Sequence, residues 1–529
     1  MSSDLWTAPA APPDVLSRLN EAERYQRFDR LQGRLGEVWD AMRLNHPDES
    51  VVVIPSITLD RAVAASGSVT QAMEERFLFM LMLLRQPRLR MIYVTSLAVA
   101  PEIVEYSLAL LSGVIPSHAR SRLTLVHVDD ASPRSLSEKL LERPQLMARI
   151  AALIPNPARS HLVPYNTTEL ERDVALSLGI PMYGADPRLA PLGAKSGCRR
   201  LFAEAGVPYP LGVENLRTLD DLVDAVISMR AQRPGMSSVI VKLNEGVSGQ
   251  GNAFVPLSGL PAAGATEERN AVLDRLRHME LESTTTPIDV YLAKFQEGGG
   301  IVEERIVGTD IESPSVQLRV LPDRSVQLLS THDQLLGGAS GQSYLGCVFP
   351  ASAAYARIIT QHAETIGKKL AEQGALGRFA IDFVVVRGGD GEWTPYAIEL
   401  NLRKGGTTHP FLTLQFLTDG RYDPRTALFM TPRGQEKHLV ATDHLESELL
   451  RGLSAPDLFD IVARHGLHFD QSRQVGIVFH MISSITELGR VGLTAVGDSP
   501  DEAERRYRDA ERILLDEAAL SLQERPLPA

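Results

Sequence analysis

The sequence predicts an α/β protein in three successive parts: a doubly wound domain, an α+β region and a small closing α/β segment. Three observations carry this. Apolar strands alternate with helical periodicities over the first 190 residues. A glycine-rich loop and acid-bearing apolar strands fill the middle. One more apolar strand lies between helical patterns near the end.

Residues 14–45 place Leu16, Leu19, Tyr25, Phe28, Leu31, Leu35, Val38 and Met42 near helical spacing, which predicts one helix. Val51–Pro55, Arg90–Thr95 and Leu123–Val128 predict buried strands, with helices over 69–84 and 101–111. The apolar run Phe77–Leu84 is too short to cross a bilayer and ends at Arg85, so it predicts a buried helix. These βαβ units imply a parallel sheet in a domain reaching about residue 188. Glycine and proline cluster over Gly184–Gly193 and mark a boundary. A helix over 195–205 follows, then two strands joined by a glycine-rich loop over 238–256. A polar stretch over 262–285 predicts a helix or surface insertion, and 301–333 and 379–400 alternate as paired strands. After 440, helices near 443–465 and 500–521 flank the strand Val475–His480. The division is an N-terminal helical segment 1–45, a doubly wound domain 46–190, an α+β domain 191–435 and a C-terminal domain 436–529.

Composition narrows the function classes. The 529 residues hold 54 Lys plus Arg and 66 Asp plus Glu, a formal net charge of −12 without a basic run. That disfavours nucleic-acid and anionic-membrane binding. The two cysteines, Cys198 and Cys347, form no CxxC or Cys/His pattern, which predicts neither a zinc site nor a disulfide. Met1–Pro13 lacks a basic and apolar leader pattern, so a cytoplasmic location is expected.

Three constellations carry chemistry. In the first, the strand Ser238–Lys242 runs into Glu245-Gly246-Val-Ser248-Gly249-Gln-Gly251. Glycines let backbone N–H groups approach phosphate, and Lys242 adds a point charge. No Gly-Lys-Ser/Thr follows, so the loop is not a Walker loop, and a strand rather than a helix comes next. A glycine hairpin turn without a ligand is the alternative. The second constellation is Arg378-Phe-Ala-Ile-Asp382, followed by Glu399-Leu-Asn401-Leu-Arg403. Glu399, Asn401 and Arg403 alternate onto one strand face, and Asp382 joins them if the strands pair. Two carboxylates and an amide oxygen suit Mg²⁺, and Arg403 can stabilise developing negative charge. Solvated strand residues are the alternative. The third is Glu303-Glu304-Arg305-Ile306, with Asp310 beyond Gly308. A strand end of this type can offer an adenine its acceptor and N–H donor and a ribose its acid. An ordinary strand and turn is the alternative.

In this order the constellations resemble the ATP-grasp superfamily, over roughly residues 191–425. The resemblance implies that the second domain is an ATP-grasp α+β fold and the first a pre-ATP-grasp domain. It implies Lys195 and Lys242 as nucleotide-binding lysines, with Glu245, Gly246, Ser248, Gly249 and Gly251 as the phosphate loop. It places Glu303, Glu304 and Ile306 at the adenine, Asp310 at the ribose, Asp382, Glu399 and Asn401 on magnesium, and Arg403 as the catalytic arginine with Lys242. The implied cofactors are ATP and two Mg²⁺ ions, with Mn²⁺ as a substitute. A narrower resemblance to the pheganomycin-type peptide ligases rests on several motifs. They are Tyr183-Gly-Ala-Asp-Pro187 before Gly193-Ala-Lys-Ser-Gly197, Thr331-His-Asp333-Gln334, Tyr344–Pro350, Phe479-His480 and Gly492–Ser499. It implies joining of a small-molecule or peptide carboxylate to an amine through an acyl phosphate. A homodimer is compatible with it.

Arg319, His332, Asp333, Gln334 and His409 are candidates for substrate contact, with strand-end or packing roles as the alternative. One departure is the long turn Arg387–Trp393 between the metal strands, which leaves their register open. Within enzymes, a carboxylate–thiol ligase or a small-molecule kinase shares the same nucleotide site. Outside enzymes, the rival is a non-catalytic ATP-binding sensor or scaffold.

Overall fold

The computed structural model describes residues 16–42, 45–46, 48–57, 67–246, 251–283, 286–337 and 343–524. Its first sheet is parallel and is built from β1 (Ser50–Ile54), β2 (Arg90–Thr95), β3 (Leu123–His127) and β4 (Ser160–Pro164), in the order β3-β2-β1-β4. Both faces are covered, so the strands are mainly apolar at their centres. Val51, Val53, Met91 and Tyr93 face one core. Val52, Ile54, Ile92 and Val94 face another, which the helices Glu21–Gln32, Leu136–Leu141 and Glu169–Leu178 complete. Strand β4 has no counterpart in the sequence reading, because His161 and Pro164 interrupt its apolar run.

The predicted N-terminal helix divides at Gly33 into Glu21–Gln32 and Leu35–Met42. The predicted helix over 69–84 is an α-helix, Gly67–Arg76, that tightens into a 3₁₀ helix, Phe77–Arg85. The latter buries Phe77 through Met82 and Leu84, in line with its apolar run.

The next sheet is antiparallel. It comprises β5 (Gly212–Leu216), β6 (Ser238–Leu243), β7 (Asn252–Pro256), β8 (Glu280–Leu281) and β9 (Gly300–Glu304), in the order β5-β9-β6-β7-β8. The polar stretch over 262–285 holds the helix Glu268–Arg277 and then β8.

A nine-stranded antiparallel sheet forms the rest of the scaffold. Its first members are β10 (Ile311–Glu312), β11 (Pro314–Val320), β12 (Val326–Gly337), β13 (Ser343–Phe349), β14 (Gly377–Arg387) and β15 (Trp393–Asn401). A small hairpin, β16 (Arg421–Asp423) and β17 (Leu428–Met430), stands apart. The large sheet continues through β18 (His438–Glu446), β20 (Arg490–Gly497) and β19 (Gly476–His480). Strand β18 pairs with β13, so backbone hydrogen bonds run unbroken across residue 435. The expected helix near 443–465 is therefore corrected. Residues 438–446 are strand, and the helix is Ala455–Arg464. Thr442 and Asp443 interrupt the apolar run of that strand and blur its alternation. The helix Thr408–Thr418 lies at the centre of the largest core. Its Phe411 and Leu414 pack with Val51 and Tyr93 from the first sheet and with Phe349, Phe479 and Leu493. At about 1.5–3 kcal/mol per buried large apolar side chain, this shared core ties the parts together.

Candidate active site

The metal strands pair as expected. Asp382 on β14 lies opposite Glu399 on β15, and Ala380 opposite Asn401. The long turn over 387–393 does not slip this register; a bulge between Asp382 and Phe383 absorbs the irregularity. Asn401 Nδ2 donates to Asp382 Oδ2 at 2.8 Å, which holds the two side chains together. Burial, and then the charge of Glu399, raise Asp382 to about 6. Burial also acts to raise Glu399, but the nearby Lys195 ammonium outweighs it and holds the carboxyl below its usual value.

Lys195 opens the helix Lys195–Glu204, and its Nζ lies 2.6 Å from Glu399 Oε1. The helix has no capping side chain of its own at Ala194. Asn244, at the end of β6, supplies the cap from outside. Its Oδ1 accepts from Ser196 N at 3.1 Å and Ser196 Oγ at 2.7 Å, and its carbonyl accepts from Lys195 N at 3.1 Å. Gly197 permits the tight entry turn, since a Cβ there would lie 1.8 Å from the Pro191 carbonyl oxygen. Sequence reasoning missed Asn244, because a cap 48 residues away leaves no local signature.

Lys242 ends β6, buried, with Nζ 2.6 Å from Glu303 Oε1 on the adjacent β9. The other Glu303 oxygen accepts from Arg199 Nη1 at 2.9 Å, while Arg199 Nε donates to Glu214 at 2.7 Å. Glu303 thus sits between two cations and orients Lys242. Its carboxylate is ion-paired on both sides while it lines the cavity. Glu304 is likewise ion-paired, with Arg233.

These groups converge on one cavity of about 250 Å³, lined among others by Lys195, Lys242, Glu303, Asp382 and Glu399. Gly246, Gly251, Glu304, Ile306 and Gln334 line it as well. Ser248 and Gly249 lie outside the described residues, and Glu245 is exposed. Asn401 and Arg403 adjoin the lining residues without lining the cavity, and Asp310, Asp333, Arg319, His332 and His409 do not line it either. Asp310 is about half exposed, 3.7 Å from Arg387. Asp333 accepts from Ser352 N at 2.9 Å and Tyr355 Oη at 2.8 Å, which fastens the start of the helix Ala353–Glu372. Burial raises its carboxyl to about 6. Arg319 donates to Gln327 at 2.8 Å and lies over the Trp39 ring. His409 is buried against His480 and Phe79, with ring centroids 4.1 and 5.2 Å away. His332 is also buried, 2.9 Å from Ser330 Oγ, and burial lowers it to about 3. Arg403 follows the metal strand, and its charge acts on both Asp382 and Glu399. Its guanidinium reaches the first domain, donating to Tyr165 Oη at 3.4 Å.

The donor set fits magnesium. Two carboxylates and an amide oxygen on one face are hard ligands, and Mg²⁺ completes its shell with phosphate and water. Among the described residues, no group of three His, Cys, Asp or Glu side chains is placed to hold a metal without such additional ligands.

Residues 189–425 match, in the segments 189–287 and 267–425, the family described as IQCH-like, ATP-grasp. Among solved structures, an N5-carboxyaminoimidazole ribonucleotide synthetase in complex with ADP superposes with TM-score 0.50. It has 10% identity and covers 89% of this chain and 98% of its own. The biotin carboxylase domain of the Hydrogenobacter thermophilus 2-oxoglutarate carboxylase, with MgADP and bicarbonate, superposes with TM-score 0.52. It has 13% identity and covers 87% of this chain and 89% of its own. The fold is ATP-grasp. Within it, the cavity is lined by the Lys242–Glu303 pair of the smaller antiparallel sheet and by Glu399 of the large sheet, which pairs with Lys195 at the start of a helix. Beyond the ATP-grasp region, residues 457–510 match the PGM1 C-terminal domain. An L-propargylglycine–L-glutamate ligase of Streptantibioticus cattleyicolor is 27% identical over 94% of this chain and 98% of its own length. An IQ motif-containing protein H of Danio rerio is 22% identical over 88% of this chain, which spans 48% of that longer protein. Among the described residues no helix is long and apolar enough to cross a membrane.

Proposed function

We propose that this chain is an ATP-dependent carboxylate–amine ligase that activates its acid as an acyl phosphate and releases ADP and phosphate. The observation that carries the reading is the convergence of Lys195, Lys242, Asp382 and Glu399 on one cavity, with Arg403 beside it. The similarity to a ligase over nearly the whole chain supports the class of bond formed. The same reading keeps the division at residues 45, 190 and 435 as four functional parts on a shared scaffold, and takes the substrates to be small molecules or short peptides.

Asp382, Glu399 and the Asn401 amide oxygen would hold magnesium, one or two ions, which when bound neutralises phosphate charge and draws the phosphates into line. Lys242, held in place by Glu303, and Lys195, held by Glu399, present two ammonium groups to the phosphates. Both lysines are buried, so their charges act with little screening. A carboxylate oxygen of the acid substrate attacks the γ-phosphorus, the β–γ bridging P–O bond breaks, and ADP leaves. The amine nitrogen then attacks the acyl carbon, the bond to the phosphate oxygen breaks, and the amine gives up a proton as phosphate departs. Arg403 faces the developing negative charge of both steps, and Tyr165 restrains its guanidinium.

The test is ADP release with Mg-ATP and pooled amino acids and short peptides, comparing wild type with Glu399→Ala. The expected result is substrate-dependent ADP release that the variant loses, with a product one water lighter than its two parts. A stable phosphorylated product, or turnover that survives Glu399→Ala, contradicts the reading.

A further inference from the structure

Four cations lie together beyond the cavity, toward the parallel sheet, and among the described residues none of them is ion-paired with an acid. Lys404 is 6% exposed; its Nζ donates to the Pro164 carbonyl and lies 5.9 Å from the Phe77 ring centroid. Arg378 on β14 stands opposite Arg319 on β11. Arg319 donates to the neutral Gln327, lies over the Trp39 ring and acts on Tyr183, and Arg403 donates to Tyr165 and the Lys404 carbonyl. Among the described residues none of the four has a carboxylate within ion-pair distance, whereas Lys195, Lys242, Arg199 and Arg233 each have one.

Two buried polar atoms here also lack a well-formed hydrogen bond. Tyr183 is 8% exposed; among the described residues its hydroxyl makes no hydrogen bond of good geometry, and the Arg319 guanidinium acts on it. Arg378 Nη1 is buried and has no hydrogen-bond partner among the described residues. Burial, with Arg378 adding, lowers Lys404 to about 7. Burial lowers Arg378 to about 10 against the opposing effect of Tyr183, with Arg319 adding. Both directions agree with the geometry, because an acid nearby would raise them.

The place is also distinctive. In the order β3-β2-β1-β4 the chain reverses direction of growth at β1, so the crevice beyond the carboxyl ends of β1 and β4 is a topological switch point, where open α/β sheets take ligands. Pro164 ends β4, and both Lys404 and Arg403 reach its end from the other domain. An unpaired buried cation is costly and is retained where a ligand brings the opposite charge. Arg378 lies four residues from Asp382 on the same face of β14, so this cluster continues along that face beyond Lys195 and Lys242, where the ATP phosphates belong, and its anion belongs to a substrate.

We propose that Lys404, Arg378 and Tyr183 bind a substrate carboxylate other than the one being activated, so that one of the two joined molecules carries a free acid group. The proposal rests on the ligase reading only for the word substrate. A Lys ammonium, an Arg fork and a phenol hydroxyl together donate to both oxygens of a carboxylate.

The test uses the full chain without nucleotide. Trp39 stacks on Tyr183 at 5.1 Å and serves as a fluorescent reporter, with Trp39→Phe as the control. The probes are a pool of L-amino acids and the matching pool of their amides. The acids are expected to change the Trp39 signal and the amides not, with binding weakened about tenfold or more in Lys404→Met and Arg378→Met. A lost charge-assisted contact and a lost carboxylate should be coupled. Amidation should therefore cost little further in Lys404→Met, and additive effects overturn the proposal. So does equal binding of amides and acids, or no response to either pool. Stability is the second readout: without ligand, Lys404→Met should melt no lower than wild type, whereas a purely structural lysine would melt lower. In turnover, amidating the acid partner or the amine partner in turn shows which carries the group, since only that substrate's KM ceases to respond to Lys404→Met. A chain that binds acids here but releases no ADP contradicts the ligase reading and leaves this site standing.

Discussion

Glu303 is the residue on which the nucleotide side of the cavity depends. It alone stands between Lys242 and Arg199, both buried. Glu303→Gln leaves the buried Lys242 without its counter-charge and Arg199 with Glu214 alone, and is expected to cost on the order of 3–5 kcal/mol in chemical denaturation. It should also raise the KM for ATP, because Lys242 is no longer held. A variant of wild-type stability and KM would refute that role. His332 sets a pH dependence. Burial holds it near 3, while in the unfolded chain it protonates near its ordinary 6.5. Below 6.5 the unfolded state binds the extra proton, so this contribution to stability is full above 6.5 and is lost as pH falls toward 3. Removing the imidazole in His332→Gln should flatten the stability curve over that window, measured by urea denaturation at successive pH values. Glu399, Asn401 and Asp382 were legible because strand alternation puts i and i+2 on one face. The places of Asp310 and His409 away from the cavity were not legible, because their local sequence carries no record of what they fold against. Arg387 draws Asp310 outward, and His480 and Phe79 enclose His409. Lys404 and Arg378 drew no notice, since the lack of a counter-charge is a property of the folded surroundings alone.

Among elements, the helix Lys195–Glu204 aims the candidate nucleotide-binding Lys195 into the cavity from its first turn. Its cap comes from Asn244, so Asn244→Ala should cost about 1–2 kcal/mol and raise the KM for ATP more than it lowers kcat. Unchanged ATP affinity would show that Lys195 is positioned by the Glu399 ion pair alone. Strands with clean apolar runs, β1 to β3, and the paired strands around the metal acids were readable from the sequence. Strand β4 and the stretch 438–446 were not. Ser160 and His161 are buried polar residues within β4, and β18 carries the buried Asp443. Each is a polar residue in the core that long-range partners satisfy, and periodicity cannot separate it from a surface position. In β18, Asp443 accepts from Arg76 at 3.0 Å and pairs with His480 at 2.8 Å.

At the scale of the whole molecule, that Arg76–Asp443–His480 contact joins a helix of the first domain to two strands of the last, and Arg76 also donates to Gly406 just beyond Arg403. Burial acts to raise Asp443, but the Arg76 charge and the His480 hydrogen bond hold it far below the carboxylate range. Since β18 pairs with β13, a chain ended before residue 436 exposes an unpaired edge and the apolar side of the shared core. Such a truncation is expected to be insoluble; a soluble, nucleotide-binding fragment would contradict the shared scaffold. The three-part α/β plan was legible from the spacing of elements, whereas continuity of one sheet across residue 435 depends on pairing between distant strands and was not. The central claim, activation of a carboxylate as an acyl phosphate, is tested most directly by isotope transfer. The acid substrate found in the pooled assay is labelled with ¹⁸O in its carboxylate, and the released phosphate is weighed by mass spectrometry. The mechanism requires one labelled oxygen in each inorganic phosphate and none in ADP. Unlabelled phosphate, or label appearing in AMP, would contradict it.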